Sequence, residues 1–282
     1  MNKDLENINP SNTQPQVQTS DGAILQDQTI LTSYKPEVGL ENINPTYTQT
    51  QVQETDGAKL HDQRIITAYK PGPWLESYKM LRTRSLQLMS NNNWSTLAVT
   101  GITSQVGSSL VSVNLAISIA MELDQTVLLV DANLNNPMMH TMLDIKVDEG
   151  LSDYLLYDKP VSELLINPSI ERMVVLPAGK PMLNSTEMLR SPKMVQLVAE
   201  LKNRYPSRII IFDMPPLLSQ ADALSFSPYV DSVLLVVEEG QTKTDELKYA
   251  ASLLKDVNLL GTVLNKATDH KIKYSADSYR VY

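Results

Sequence analysis

Cysteine is absent from the chain, which excludes disulfides and thiol chemistry and is compatible with a cytoplasmic protein. Basic residues are scarce: 24 Lys and Arg stand against 32 Asp and Glu, for a net charge of −8 and a pI of about 5.0. A general nucleic-acid binder needs a basic face to displace counterions, so that class is excluded. Met1–Asn7 has no apolar core, and no signal peptide is expected there. The three histidines, His61, His140 and His270, show no metal-ligand spacing. Lys and Arg are missing altogether between Arg84 and Lys146. Leu97–Met121 carries no charge of either sign, yet Thr100, Gln105, Ser108, Ser109, Ser112 and Asn114 would go unsatisfied in hydrocarbon, which argues against a membrane span.

What that uncharged stretch does contain organises the chain. Thr96–Thr100 reads as a short buried strand, Gly101 and Gly107 punctuate a loop, and Ser108–Met121 reads as a helix with Val111, Leu115 and Ile119 on one side. A strand, a glycine loop and a helix N-terminus together form a cradle of backbone N–H groups for an anion. The lysine that a Walker A loop requires is missing, because the loop ends Gly107-Ser108-Ser109.

Upstream lies an internal repeat. Leu5-Glu-Asn-Ile-Asn-Pro10 returns as Leu40-Glu-Asn-Ile-Asn-Pro45, Asp21-Gly-Ala23 as Asp56-Gly-Ala58, and Tyr34-Lys-Pro36 as Tyr69-Lys-Pro71, each 35 residues later. The segment is rich in Gln, Asn, Thr and Pro and poor in large apolar residues. Residues 1–73 are therefore predicted to be a disordered tail. It reads equally well as a tandem linear motif that binds a partner with avidity and as a duplicated tail with no role of its own.

Downstream, Trp74–Met89 is predicted to be a helix with Leu75, Tyr78, Leu81, Ser85 and Leu88 on its inner face. Further strands are predicted at Thr126–Asp131, Met173–Gly179, Arg208–Asp213, Ser232–Glu238 and Leu259–Asn265. Short helices are predicted near Gly150 and over Val161–Ile166, and longer ones over Ser191–Tyr205 and Thr242–Lys255. Continuous apolar strands alternating with helices imply an α/β domain, a mostly parallel sheet covered on both faces, over residues 74–268. In such sheets ligands bind at the carboxyl ends of the strands, where Gly107, Asp131, Asp213 and Asn265 all fall. Asn265 there reads equally as a strand-end cap and as a ligand contact. Residues 269–282 form a tail bearing Tyr274, Tyr279 and Tyr282.

Several segments, in order, resemble the bacterial tyrosine kinases of capsule and exopolysaccharide assembly, a P-loop ATPase family related to ParA and MinD. Glu76-x-Tyr78-Lys79-x-Leu81-Arg82-Thr83 resembles the helix before their ATPase core, Val127-Leu-Leu-Val-Asp131-Ala-Asn133 their Walker A′ strand, and Ile209-Ile-Ile-Phe-Asp213-Met-Pro-Pro their Walker B strand. Gly150-Leu-Ser-Asp, Leu176-Pro-Ala-Gly, Asn184-x-x-Glu187, Asp222-Ala-Leu and Val263-Leu-Asn265 also match. The resemblance implies binding of ATP or ADP at Gly107, Ser108, Ser109 and Asn265, and of Mg at Ser109, Asp131 and Asp213. It gives the two aspartates the catalytic positions, and makes Tyr274, Tyr279 and Tyr282 phosphoacceptors. It also implies a homo-oligomer joined through Glu76, Lys79 and Arg82, which would otherwise be solvated helix residues. The implied partner is the cytosolic part of a membrane chain-length-determinant protein, at the inner face of the membrane.

The departures are concentrated at the loop. Where the family has Pro-Gly-Glu-Gly-Lys-Ser, this chain has Ser104, Gln105, Val106, Gly107, Ser108 and Ser109. The second Walker A′ acid is Asn133, and the basic pair that follows is Asn135-Asn136. Phosphoryl transfer depends on neutralising charge on phosphate oxygens. The expectation is therefore a regulatory member with weak or lost ATP binding. The alternatives are an active tyrosine autokinase, a MinD- or ParA-like positioning protein, and a scaffold without nucleotide.

Overall fold

The computed structural model describes residues 50–66, 74–204 and 207–267. Its centre is an eight-stranded sheet. In chain order the strands are β1 (Gln51–Val52), β2 (Thr96–Gly101), β3 (Thr126–Asp131), β4 (Ile166–Asn167), β5 (Met173–Leu176), β6 (Arg208–Asp213), β7 (Ser232–Glu238) and β8 (Leu259–Asn265), arranged β1-β4-β5-β3-β6-β2-β7-β8. Neighbours pair in parallel except β4 and β5. β2, β3 and β6 are buried along their whole length, as apolar runs with helices on both faces must be.

Ten α-helices accompany the sheet among the described residues: α1 (Gly57–Asp62), α2 (Leu75–Asn91), α3 (Ser108–Ala120), α4 (Met139–Met142), α5 (Leu151–Tyr157), α6 (Val161–Leu164), α7 (Ser185–Leu189), α8 (Pro192–Arg204), α9 (Asp222–Phe226) and α10 (Thr244–Leu253). On one face α5, α8, α9 and α10 bury Leu151, Leu197, Phe226 and Ala250 against Leu128, Phe212 and Leu235. On the other, α3 lies between the sheet and an outer layer made by α1 and α2, so Val111 to Ala120 are buried on every side. Among the described residues no helix is long and apolar enough to cross a membrane.

Three expectations need correction. The tail does not end at residue 73, since residues 50–66 belong to the domain. β1 pairs with β4, and Leu60, Ile65 and Ile66 are buried in the core. Three large apolar side chains and a helix capped by the Asp56 carboxylate (to Ala58 N, 2.9 Å) suffice to hold the segment down. The remaining residues of that tail, and those from 268 on, lie outside the described residues. Second, the apolar stripe of α2 ends on Met89, which is buried, while Leu88 is exposed; the stripe runs Tyr78, Ser85, Met89, at the i, i+7, i+11 spacing of a straight helix. Third, Val161–Ile166 is not one helix: α6 stops at Leu164 and the chain enters β4.

Candidate functional site

The loop between β2 and α3 keeps the shape its glycines suggest. Gly107 caps α3 in the left-handed region (φ 86°), and a Cβ there would lie 2.4 Å from the Asn265 side-chain nitrogen. Only glycine meets both demands. Gln105, standing where the family has glycine, also adopts left-handed backbone (φ 65°). Val106 is buried beneath the loop and packs over Gly101. The end of β8 buckles the loop from outside. Asn265 Nδ2 donates to the Val106 carbonyl at 2.8 Å, and Lys266 Nζ donates to the Gln105 carbonyl at 2.7 Å while pairing with Glu238 at 2.9 Å.

Facing the loop, Asp131 and Asp213 stand side by side, in register at the ends of β3 and β6, each 1% exposed. Backbone N–H groups of Asn133 (3.2 Å) and Met139 (3.3 Å) donate to Asp131. Burial, and then the charge of Asp213, hold its carboxyl well above the usual carboxylate range. Asp213 accepts from the Ser112 hydroxyl at 2.8 Å and from the Ser109 hydroxyl. Burial nevertheless pushes its pKa up to about 6, against the pull of those two donors. Two buried carboxylates with a serine hydroxyl between them and the loop are hard oxygen donors of the kind that hold Mg²⁺ beside a phosphate. Ser109, Asp131 and Asp213 are the residues that would hold such an ion. The phosphate side is less well served: Ser108 begins α3 and brings no charge. Among the described residues, no group of three or more His, Cys, Asp or Glu could hold a metal by itself.

The other expected site residues divide. Glu76 and Lys79 pair on the surface of α2 at 2.7 Å. Arg82 does not join them. It turns to α3, pairing with Glu122 at 2.7 Å and donating to the Ser118 carbonyl at 3.0 Å. Asn133, in the place of an acid, accepts from Asn136 N at 3.3 Å and closes its own turn. Tyr274, Tyr279 and Tyr282 lie outside the described residues.

Two of the resemblance motifs meet as one brace. Leu151 N and Ser152 N donate to the Pro177 and Ala178 carbonyls at 2.8 and 2.9 Å, and Asp153 accepts from Gly150 N at 2.8 Å. A Cβ on Gly150 would lie 2.2 Å from the Pro177 oxygen.

Sequence reasoning missed the cations. A cavity of about 770 Å³ borders the loop at Gly107 and Asn265, and its walls carry Arg64, Arg84 and Lys266. Lys266 could have been found from its place directly after a strand-end residue of a matching motif. Arg64 could not, because its segment gave no sign of being folded.

Residues 95–269 match the family model described as "AAA domain". The tyrosine-protein kinase YwqD of Bacillus subtilis is 29% identical over 192 residues, 67% of this chain and 80% of that protein. Among solved structures, the kinase domain of the Escherichia coli tyrosine kinase ETK superposes with a TM-score of 0.63 at 28% identity, covering 70% of this chain and 78% of that one. The chimerical protein CapA2B2 gives a TM-score of 0.66 at 25% identity, covering 80% and 98%. With its glycine loop, paired strand-end aspartates and mostly parallel sheet, this chain belongs to the AAA-domain family of P-loop ATPases, and bacterial tyrosine kinases are among its relatives.

Proposed function

We propose that this chain is a tyrosine-kinase-like regulatory protein of capsule or exopolysaccharide assembly whose hold on nucleotide is weaker than that of its catalytic relatives. The observation that carries this reading is Ser108 in the first turn of α3, where the relatives' loop has lysine, opposite two buried acids that offer polyphosphate no positive charge. Bound Mg²⁺ would offset negative charge between the aspartates and a phosphate. The loop itself adds backbone N–H groups and hydroxyls only. In this reading the chain works at the inner face of the membrane through the cytosolic part of a chain-length-determinant protein, with itself or a related kinase as oligomer partner.

Isothermal titration of the full chain with MgATP tests the proposal. The expected dissociation constant is millimolar or weaker, and Ser108→Lys should tighten it about 10-fold or more, one charge-assisted contact of about 1.4 kcal/mol. A submillimolar constant for the unaltered protein would overturn the reading.

Such a result would favour an active tyrosine autokinase, for which one observation speaks. Lys266, Arg64 and Arg84 border the loop from outside and could replace the missing lysine. In that case Lys266→Ala should abolish nucleotide binding and ATP-dependent phosphate on Tyr274, Tyr279 or Tyr282.

A further inference from the structure

Residues 51–66 run as a strap across the outer layer of the domain, and few of their side chains fix them there. Leu60, Ile65 and Ile66 are buried (3%, 0% and 5% exposed). The Gln53 side chain exchanges two hydrogen bonds with the Lys146 main chain (2.9 and 2.8 Å), and the Thr55 hydroxyl donates to the Pro168 carbonyl at 3.2 Å. Lys59 pairs with Asp144 at 3.2 Å near the surface, and the rest is strap backbone. Gln51 N and Gln53 N donate to the Leu165 and Asn167 carbonyls. Buried Asn114 of α3 accepts from Ile66 N at 2.7 Å and donates to the Arg64 carbonyl at 2.9 Å.

Thirty-five residues upstream the same requirements are met again. Leu25, Ile30 and Leu31 stand where Leu60, Ile65 and Ile66 do, and Gln18, Ser20 and Asp21 stand for Gln53, Thr55 and the capping Asp56. The two copies differ at six of these positions: conservatively where Ser20 and Leu31 stand for Thr55 and Ile66, and at Glu54, Lys59, His61 and Arg64, replaced by Thr19, Ile24, Gln26 and Thr29. Glu54, Lys59 and Arg64 are exposed on the docked strap, and His61 is half-buried against the Trp74 ring.

We propose that residues 16–31 are an alternative occupant of this seat on their own chain, exchanging with residues 51–66. The seat reads backbone and the side chains of Gln53, Thr55, Leu60, Ile65 and Ile66, and both copies supply their like. Tether length sets the balance. About 7 residues (67–73) separate the second copy from α2, against about 42 (32–73) for the first. Effective concentration falls roughly as the −3/2 power of tether length, so the first copy should hold the seat about 15-fold less often. Its docking puts Thr29 in the place of Arg64 and removes one cation from the cavity beside the loop. The exchange therefore changes the charge next to the anion site without touching the loop.

The absence of natural cysteine makes the test direct. In the full chain, Gln53→Cys with Lys146→Cys and, separately, Gln18→Cys with Lys146→Cys are treated with a short bismaleimide. The second pair should give a within-chain product at roughly one-fifteenth the yield of the first, rising to the main product when Leu60→Asp and Ile65→Asp disable the second copy. The chain carrying Leu60→Asp and Ile65→Asp should still melt cooperatively, and at a higher temperature than one that also carries Leu25→Asp and Ile30→Asp. Absence of the within-chain product in the disabled chain, a product found only between chains, equal melting of the two variants, or failure of the first to fold would each overturn the proposal.

Discussion

At the scale of single residues, the site keeps two arrangements that strain the resting protein. Gln105 holds a left-handed backbone that a side chain disfavours by about 1 kcal/mol. Gln105→Gly should therefore raise stability by about 0.5–1 kcal/mol, less the extra entropy glycine gives the unfolded chain, and urea unfolding would measure it. Asp213, raised to about 6 from an ordinary value near 3.8, binds more protons folded than unfolded between those values. Its contribution to stability is then fully present below about pH 4 and is lost as pH rises through 6. With divalent ions chelated, Asp213→Asn should melt above the unaltered protein at pH 8, by an amount on the order of 3 kcal/mol, and lose that advantage at pH 4. An equal difference at both pH values would show that Asp213 is not the group responsible.

At the scale of elements, α3 joins loop and strap: Gly107 caps its start, and Asn114 in its middle holds the strap. Asn114→Ala leaves Ile66 N and the Arg64 carbonyl without their side-chain partner in a buried place, and should destabilise the protein by about 2–4 kcal/mol. Limited proteolysis should then cut near residues 60–66 before it cuts elsewhere. The elements also mark how far the sequence could be read. The strands that end in Asp131 and Asp213 were legible because a short, wholly apolar run suits a strand covered on both faces, and the acid that closes it marks where the cover stops. The helix Pro192–Arg204 was legible from Met194, Leu197, Val198 and Leu201, all of which are buried. β1 and α1 were not legible, because two strand residues and six helix residues are too short to show a period. The strand that β1 pairs with lies more than a hundred residues away, and the Asn114 that holds the end of the strap about fifty. Arg82 illustrates a different limit. Its helical spacing from Glu76 and Lys79 was correct, but spacing does not reveal that Glu122 lies opposite.

At the scale of the molecule, the net charge of −8 sets what an oligomer must overcome, and α2 offers an exposed ion pair with which to do so. If Glu76 and Lys79 join subunits, Lys79→Glu should leave the melting temperature nearly unchanged, since exposed pairs are worth about 0–1 kcal/mol. The same change should reduce the hydrodynamic radius measured by light scattering. Arg82→Glu would be a poorer probe, because it also breaks the bond to α3. An unchanged radius in a protein that does oligomerise would place the contact on another surface. The strap has its own consequence at this scale, for the order in which the chain is made. Gln51 pairs with Ile166, and Thr55 reaches Pro168. At about 5–20 residues per second, a ribosome needs on the order of 6–20 seconds to add the residues that build this seat after the strap itself has been synthesised. Throughout that interval β1 has no partner strand in its own chain, which makes the nascent strap a natural target for a holding chaperone.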